Sequence, residues 1–162
     1  MTVSRQATRA RPPADYRRRG RECAYANLKL MSRAIATLYD QALEPCGLRA
    51  SELALLWAIV ALEPVSMSRL AAATLTDVTT LSRTVQGLAR ARLCRVREGD
   101  DRRVRVVAST ALGRRRFDAA MPCWERAQAD AESLLPVARI ARLARGVLVA
   151  ERDRGQPQAR AR

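Results

Sequence analysis

Histidine is absent from the 162 residues, lysine occurs once, at position 29, and aromatic residues make up only 4% of the chain. The first absence excludes Ser-His-Asp triads, histidine acid–base chemistry, histidine-held metals and the H-x-E signature of zinc deaminases. The scarcity of rings removes the platform on which proteins stack single-stranded bases. Long apolar runs are missing too: the longest, Leu53 to Leu62, is fenced by Glu52 and Glu63 and falls far short of the ~20 residues of a membrane span. Cys23, Cys46, Cys94 and Cys123 lie far apart with no C-x-x-C pair, which argues for reduced thiols and against a zinc ribbon or a compact disulfide framework. The first 21 residues hold seven Arg, two Pro and no apolar core, unlike a secretory signal. The expectation is a soluble cytoplasmic protein with no cofactor, metal or membrane partner.

What is abundant is positive charge. Thirty Lys plus Arg against 16 Asp plus Glu give a formal net charge of +14, while 48% of the residues are hydrophobic. That apolar fraction supports a packed core, and the length suits one domain. The arginine excess fits either compositional bias or selection for phosphates and guanine edges, so position has to discriminate. Residues 1–21 carry seven Arg against Asp15, and residues 152–162 carry four Arg against Asp153. Both ends lack periodicity and read as a flexible basic arm and tail around a folded region, 22–151.

Between Glu22 and Glu44, Leu28, Met31, Ile35, Leu38 and Ala42 step by three and four residues, one apolar stripe along a long helix that Pro45 and Gly47 end. A second helix is expected from Ser51, as N-cap, to about Leu62. It is apolar almost all round, which predicts a buried central helix with Trp57 in the core. Ser68 to Thr74 reads as a short helix and Leu75 to Asp77 as a tight turn. A further helix, about 77–91, is capped by Asp77 or Thr76. This is a helix-turn-helix pattern. Val78, Leu81, Val85 and Leu88 share one face of its second helix, leaving Thr79, Thr80, Ser82, Arg83, Gln86 and Arg90 on others. Short hydroxyl side chains let backbone approach DNA and donate to phosphates, and Arg grips guanine O6 and N7 with two hydrogen bonds.

Cys94 to Glu98 and Val104 to Ser109 are strand-like runs joined by Gly99-Asp100-Asp101-Arg102-Arg103, a hairpin with an arginine tip suited to a minor groove. Thr110 caps a helix in which Phe117, Met121, Trp124, Gln128, Ala131 and Leu135 recur, with Pro122 expected to kink it. Val137, Ile140, Ala144 and Val147 continue the seam in another helix begun at Pro136. Apolar stripes at both ends of the chain predict a twofold dimer. The fold class is therefore mainly α with a small β-hairpin wing: a winged helix-turn-helix at about 51–109, flanked by dimerisation helices 22–44 and 111–151.

This order of elements resembles the MarR family of bacterial transcriptional regulators over roughly residues 22–151. The resemblance rests on Asn27-Leu28 through Tyr39, on Ser68-Arg69-Leu70-Ala71 to Leu81-Ser82-Arg83, and on Gly99-Asp100-Asp101-Arg102-Arg103 followed by Val104 and Thr110-Ala111-Leu112-Gly113. It implies that Thr79, Thr80, Ser82 and Arg83 lie on a recognition helix, that Asp101 is the wing-orienting acid of a D-x-R motif, and that Arg103 enters the minor groove. It also implies a homodimer on a pseudopalindromic double-stranded operator. The expected mode is a repressor released by a small aromatic or anionic effector bound between the lobes. Val78 replaces the family's usual basic or small polar residue, Gly87 interrupts the recognition helix, and Arg92 stands where Gly usually permits a left-handed turn.

Two other functions compete. One branch of the family senses peroxide through a cysteine near the start of its first helix, and Cys23 falls in that neighbourhood, with Arg19 and Arg21 nearby to favour a thiolate. A sequence-independent nucleic-acid binder could use the basic arms alone. Enzymatic activity is not expected, because Asp100 and Asp101 sit at a solvated hairpin tip with no means of raising a carboxyl pKa.

Overall fold

The computed structural model describes residues 13–99, 101 and 103–155, and the chain divides between Thr37 and Leu38 into two units. In the first unit, residues 13–21 depart from the flexible arm expected of them: Pro13–Glu22 form helix α1. Pro at the start suits a first helical turn. Asp15 in that turn pairs with Arg18 at 3.1 Å and Arg19 at 3.5 Å, one turn along, and Arg21 lies at the end where the helix dipole favours cations. Helix α2 (Ala24–Leu43) begins in this unit and ends in the second. The remaining arm, 1–12, and the tail from 156 onward lie outside the described residues.

The second unit has its core around α3 (Ala50–Leu62), whose Leu53, Leu55, Leu56 and Ile59 are buried. Leu43 and a 3₁₀ turn, Glu44–Cys46, lead into it, and Gly47 makes the corner at φ 65°, a left-handed conformation that glycine adopts without steric cost. Ser51 is not the N-cap. Arg49 holds that position, and two carboxylates satisfy free N–H groups: Glu52, in the first turn of α3, accepts from Arg49 N–H at 3.0 Å, and Asp40 of α2 accepts from Ala50 N–H at 2.7 Å. Trp57 is also not enclosed. It is 40% exposed, with its ring edge-on to Phe117 and Trp124 at centroid distances of 5.4 and 5.2 Å. An all-round apolar helix hides the fact that only one side meets the core.

After α3 come β1 (Val65–Ser66), α4 (Met67–Thr74), α5 (Val78–Arg90), β2 (Cys94–Glu98) and β3 (Arg105–Ser109). The hairpin gains a third strand that its own sequence did not announce: the sheet order is β1-β3-β2, antiparallel throughout, with Val65 opposite Val107 and Val96 opposite the same residue. Two residues of strand are too few to show alternation. Leu70, Leu81, Val85, Leu88, Leu93 and Val107 close the core over α3.

Helix α6 (Ala111–Leu134) is continuous through Pro122, and α7 (Val137–Gly155) extends past the expected limit at 151. The buried side of α6 is Gly113, Ala120, Cys123, Ala127 and Ala131; of these only Ala131 belongs to the predicted stripe, whose Phe117, Met121 and Trp124 pack only partly buried against the core. Gln128 from that stripe is a hydrogen-bond partner, accepting from the Tyr39 hydroxyl at 2.6 Å. Among the described residues no single helix is long and apolar enough to cross a membrane.

Candidate nucleic-acid interface

The helix-turn-helix is built from local caps. Ser66 Oγ accepts from Arg69 N–H at 3.2 Å to start α4, and Asp77 Oδ1 accepts from Thr80 N–H at 2.8 Å to start α5. Hydrogen bonds from Thr80, side chain and backbone, hold the exposed Asp77 carboxyl below its ordinary pKa. Leu75 forms the turn at φ 51°, where Thr76 N–H reaches back to the Ala71 carbonyl oxygen at 3.0 Å. The turn after α5 is similar: Arg92 sits at φ 59°. Its backbone thus takes the left-handed conformation that a Cβ disfavours, and the turn is kept without a glycine.

The wing is seated from below. Thr110 Oγ1 accepts from Gly113 N–H at 2.9 Å and donates to the Arg92 carbonyl oxygen at 2.6 Å, while Thr110 N–H reaches the Leu93 oxygen at 3.1 Å. Gly113 is required by this close approach, since a Cβ there would run into the Leu93 carbonyl. Glu63, at the end of α3, accepts from Ser109 N–H, from Ser109 Oγ at 2.9 Å and from Arg114 Nη2 at 2.5 Å. One carboxylate, with a side chain 9% exposed, therefore clasps α3, the end of β3 and the start of α6.

At the tip, Asp101 Oδ1 accepts from Arg103 backbone N–H at 2.9 Å, and the Asp101 carbonyl accepts from Val104 N–H at 2.8 Å. Asp101 thus shapes the turn that presents Arg103 by holding backbone. Arg102 lies outside the described residues, as does Asp100.

Helix α5 has two concave neighbours. On one side Val78, Ser82, Val85 and Gln86 share a groove of about 410 Å³ with Val96, Arg103, Val104 and Arg105 of the hairpin. Ser82, Gln86 and Arg103 are thereby brought to one surface, and Arg105, which the sequence reading passed over, joins them. Its signal was available in the sequence, since Arg105 lies two residues beyond Arg103 at the base of the same hairpin tip. Thr79 and Arg83 are exposed on α5 outside that groove's lining. Thr80 is on the other side. With Thr84 it lines a cavity of about 560 Å³ whose walls include Trp57, Ala58, Leu81, Ser51, Thr74 and Thr76. Cys23 is exposed in the first unit, between α1 and α2.

A helix-turn-helix whose second helix shares a groove with an arginine-bearing hairpin is a winged helix-turn-helix. A family model described as HVO_A0114 matches residues 47–110. The crystal structure of the M. tuberculosis transcriptional regulator MosR in complex with DNA is 32% identical, covering 79% of this chain and 98% of MosR, with a TM-score of 0.69. Apo MarR from E. coli is 17% identical over 78% of this chain and 97% of its own, at a TM-score of 0.63. CouR from Rhodococcus jostii RHA1, bound to p-coumaroyl-CoA, is 21% identical over 77% and 88%, at 0.64. These last two share the fold. No curated protein sequence matches the chain. The chain belongs to the MarR family of winged-helix transcriptional regulators.

Proposed function

We propose that the chain is a sequence-specific repressor that binds double-stranded DNA as a homodimer. Helix α5 enters the major groove, the wing enters the minor groove, and a small ligand releases the complex. The observation that carries this reading is the groove in which Ser82 and Gln86 of α5 meet Arg103 and Arg105 of the wing. Hydroxyl and amide groups suit base edges and phosphates, while arginines at a hairpin tip suit the negative potential of a narrow minor groove. Arg83 and Thr79 extend the proposed reading surface along α5, and Arg102, next to Arg103 in sequence, is proposed to add a positive charge for the DNA. Twofold assembly is supported by apolar side chains left in solvent on the terminal helices: Leu28 is 60% exposed on α2, and Leu143 and Val147 about as exposed on α7.

The cavity behind α5 is the ligand site of this proposal. Its lining combines the Trp57 ring with hydroxyls and contains no charged side chain, which favours a neutral aromatic ligand over the anion also expected from the family resemblance. Selection of bound fragments from genomic DNA with the purified protein tests the reading. Enrichment of a twofold-symmetric site that is held ~10³-fold more tightly than bulk DNA supports it. Equal retention of all fragments would instead establish a sequence-independent binder.

A further inference from the structure

The four free thiols occupy unlike surroundings. Cys94 is enclosed in the core, its Sγ donates to the Val85 carbonyl oxygen at 3.6 Å, and burial pushes its pKa up to about 11. Cys23 is exposed. Cys46 and Cys123 are separated by 77 residues of sequence, yet their Sγ atoms stand 2.7 Å apart. Two sulfurs in contact on elements this far apart in sequence are placed to form an S–S bond, about 2.05 Å long.

The surroundings suit that reaction. Cys46 is half-exposed on the 3₁₀ turn, which gives solvent a way in, and Cys123 lies on the buried side of α6. Arg126 Nη2 donates to Cys123 Sγ at 3.3 Å, placing a cation beside the sulfur pair. Arg116 Nη1 donates to the Cys46 carbonyl oxygen at 2.8 Å, fixing the turn on α6. The hydrogen bond to Cys123, and then burial, raise the Cys46 thiol pKa, while Arg126 and Arg116 act in the opposite direction. Neither cysteine lines the groove or the cavity beside α5.

We propose that Cys46 and Cys123 are a redox-active dithiol that a hydroperoxide oxidises to an intrachain disulfide. One sulfur, as thiolate, attacks the peroxide O–O bond and becomes a sulfenic acid, and the distal oxygen leaves as an alcohol, or as water from hydrogen peroxide. The second thiol attacks that sulfur, the S–S bond forms, and the sulfenic hydroxyl departs with the thiol proton as water. Two thiols lose two electrons and two protons, and the peroxide takes up both. The product ties the corner between α2 and α3 to the middle of α6.

The test uses the full chain carrying Cys23→Ser, which removes the exposed competitor. Equimolar cumene hydroperoxide is added, thiols are counted after denaturation, and peptides are mapped without reduction. The expected result is loss of two of the three remaining thiols, one linked peptide pair containing Cys46 and Cys123, and full recovery with dithiothreitol. Cys46→Ser and Cys123→Ser each abolish the linked pair. Circular dichroism identifies a variant that fails to fold, and Cys46→Ala at the half-exposed turn then provides the control. Three thiols surviving the peroxide, or sulfinic acid accumulating at either position without a linked pair, would overturn the proposal. So would a linkage that forms in the wild type only through Cys23.

Discussion

The two sides of α5 contrast sharply although they share one helix. Towards the hairpin, Ser82 and Gln86 face a groove edged by Arg103 and Arg105; towards α3, Thr80 and Thr84 face a cavity with Trp57 in its wall and no charge. The first environment suits a polyanion and the second a neutral ring. Under the proposed function, a ligand that wedges α3 from α5 should shift the wing-facing side of α5 against the wing. Glu63 and Gly113, which seat the wing on α3 and α6, hold the far wall of the groove against which that shift is felt.

The contrast can be broken most severely at Gly113. Gly113→Ala forces a methyl group against the Leu93 carbonyl and should destabilise the protein by ~3 kcal/mol, the upper part of the overpacking range. Chemical denaturation should show a lower midpoint, and what remains folded should bind DNA weakly, because the wing has lost its seat. A change below 0.5 kcal/mol, the ordinary surface level, would mean that α6 and the turn before β2 are free to part.

Charge removal sharpens the comparison at the next level. Arg103→Ala should weaken operator binding by ~1–3 kcal/mol and reduce its salt dependence by about one counterion, and Arg83→Ala should cost a similar amount. Thr84→Val, on the opposite side of α5, should leave operator affinity within about twofold while altering release by neutral aromatic compounds. Fluorescence anisotropy with labelled operator across a salt series reads all three. Equal losses in Arg103→Ala and Thr84→Val would erase the division between the two sides.

Smaller effects probe the helix itself. A Cβ at Gly87 meets nothing within 4 Å, so Gly87→Ala should stabilise the protein by ~1 kcal/mol without changing operator affinity. Asp77 adds a pH-dependent contribution. Its folded-state pKa is depressed by Thr80, so the cap contributes fully above the unfolded-state pKa and is lost as pH falls through the lower folded value. The gap between wild type and Asp77→Ala, with the variant melting earlier at pH 7, should therefore narrow progressively as pH is lowered below 4 in thermal melts.

Much of the candidate interface is legible in the sequence because its determinants are close along the chain. Asp77 caps α5 three residues before its partner, Thr110 caps α6 at the same spacing, and the Asp101–Arg103 contact spans two residues. Side-chain type does not reveal which flank of a helix a residue occupies: Thr80 lines the hollow towards α3, not the groove beside the wing. The flank follows from how α5 is rolled against α3. Trp57 was placed in the core for the same reason, since an apolar residue on an apolar helix carries no mark of which side the other helices cover.

By itself, the sequence determined the helices from α2 onward, the turn between α4 and α5, the hairpin and the arginines on it, since periodicity, capping and turn chemistry act over a few residues. Only the tertiary structure decided that Glu63 would join Ser109 and Arg114, that Val65 would add a strand to the wing, and that Cys46 would meet Cys123. These contacts bridge 40 to 80 residues of chain. They form where core packing brings distant elements together, and no local pattern encodes which partner will be there.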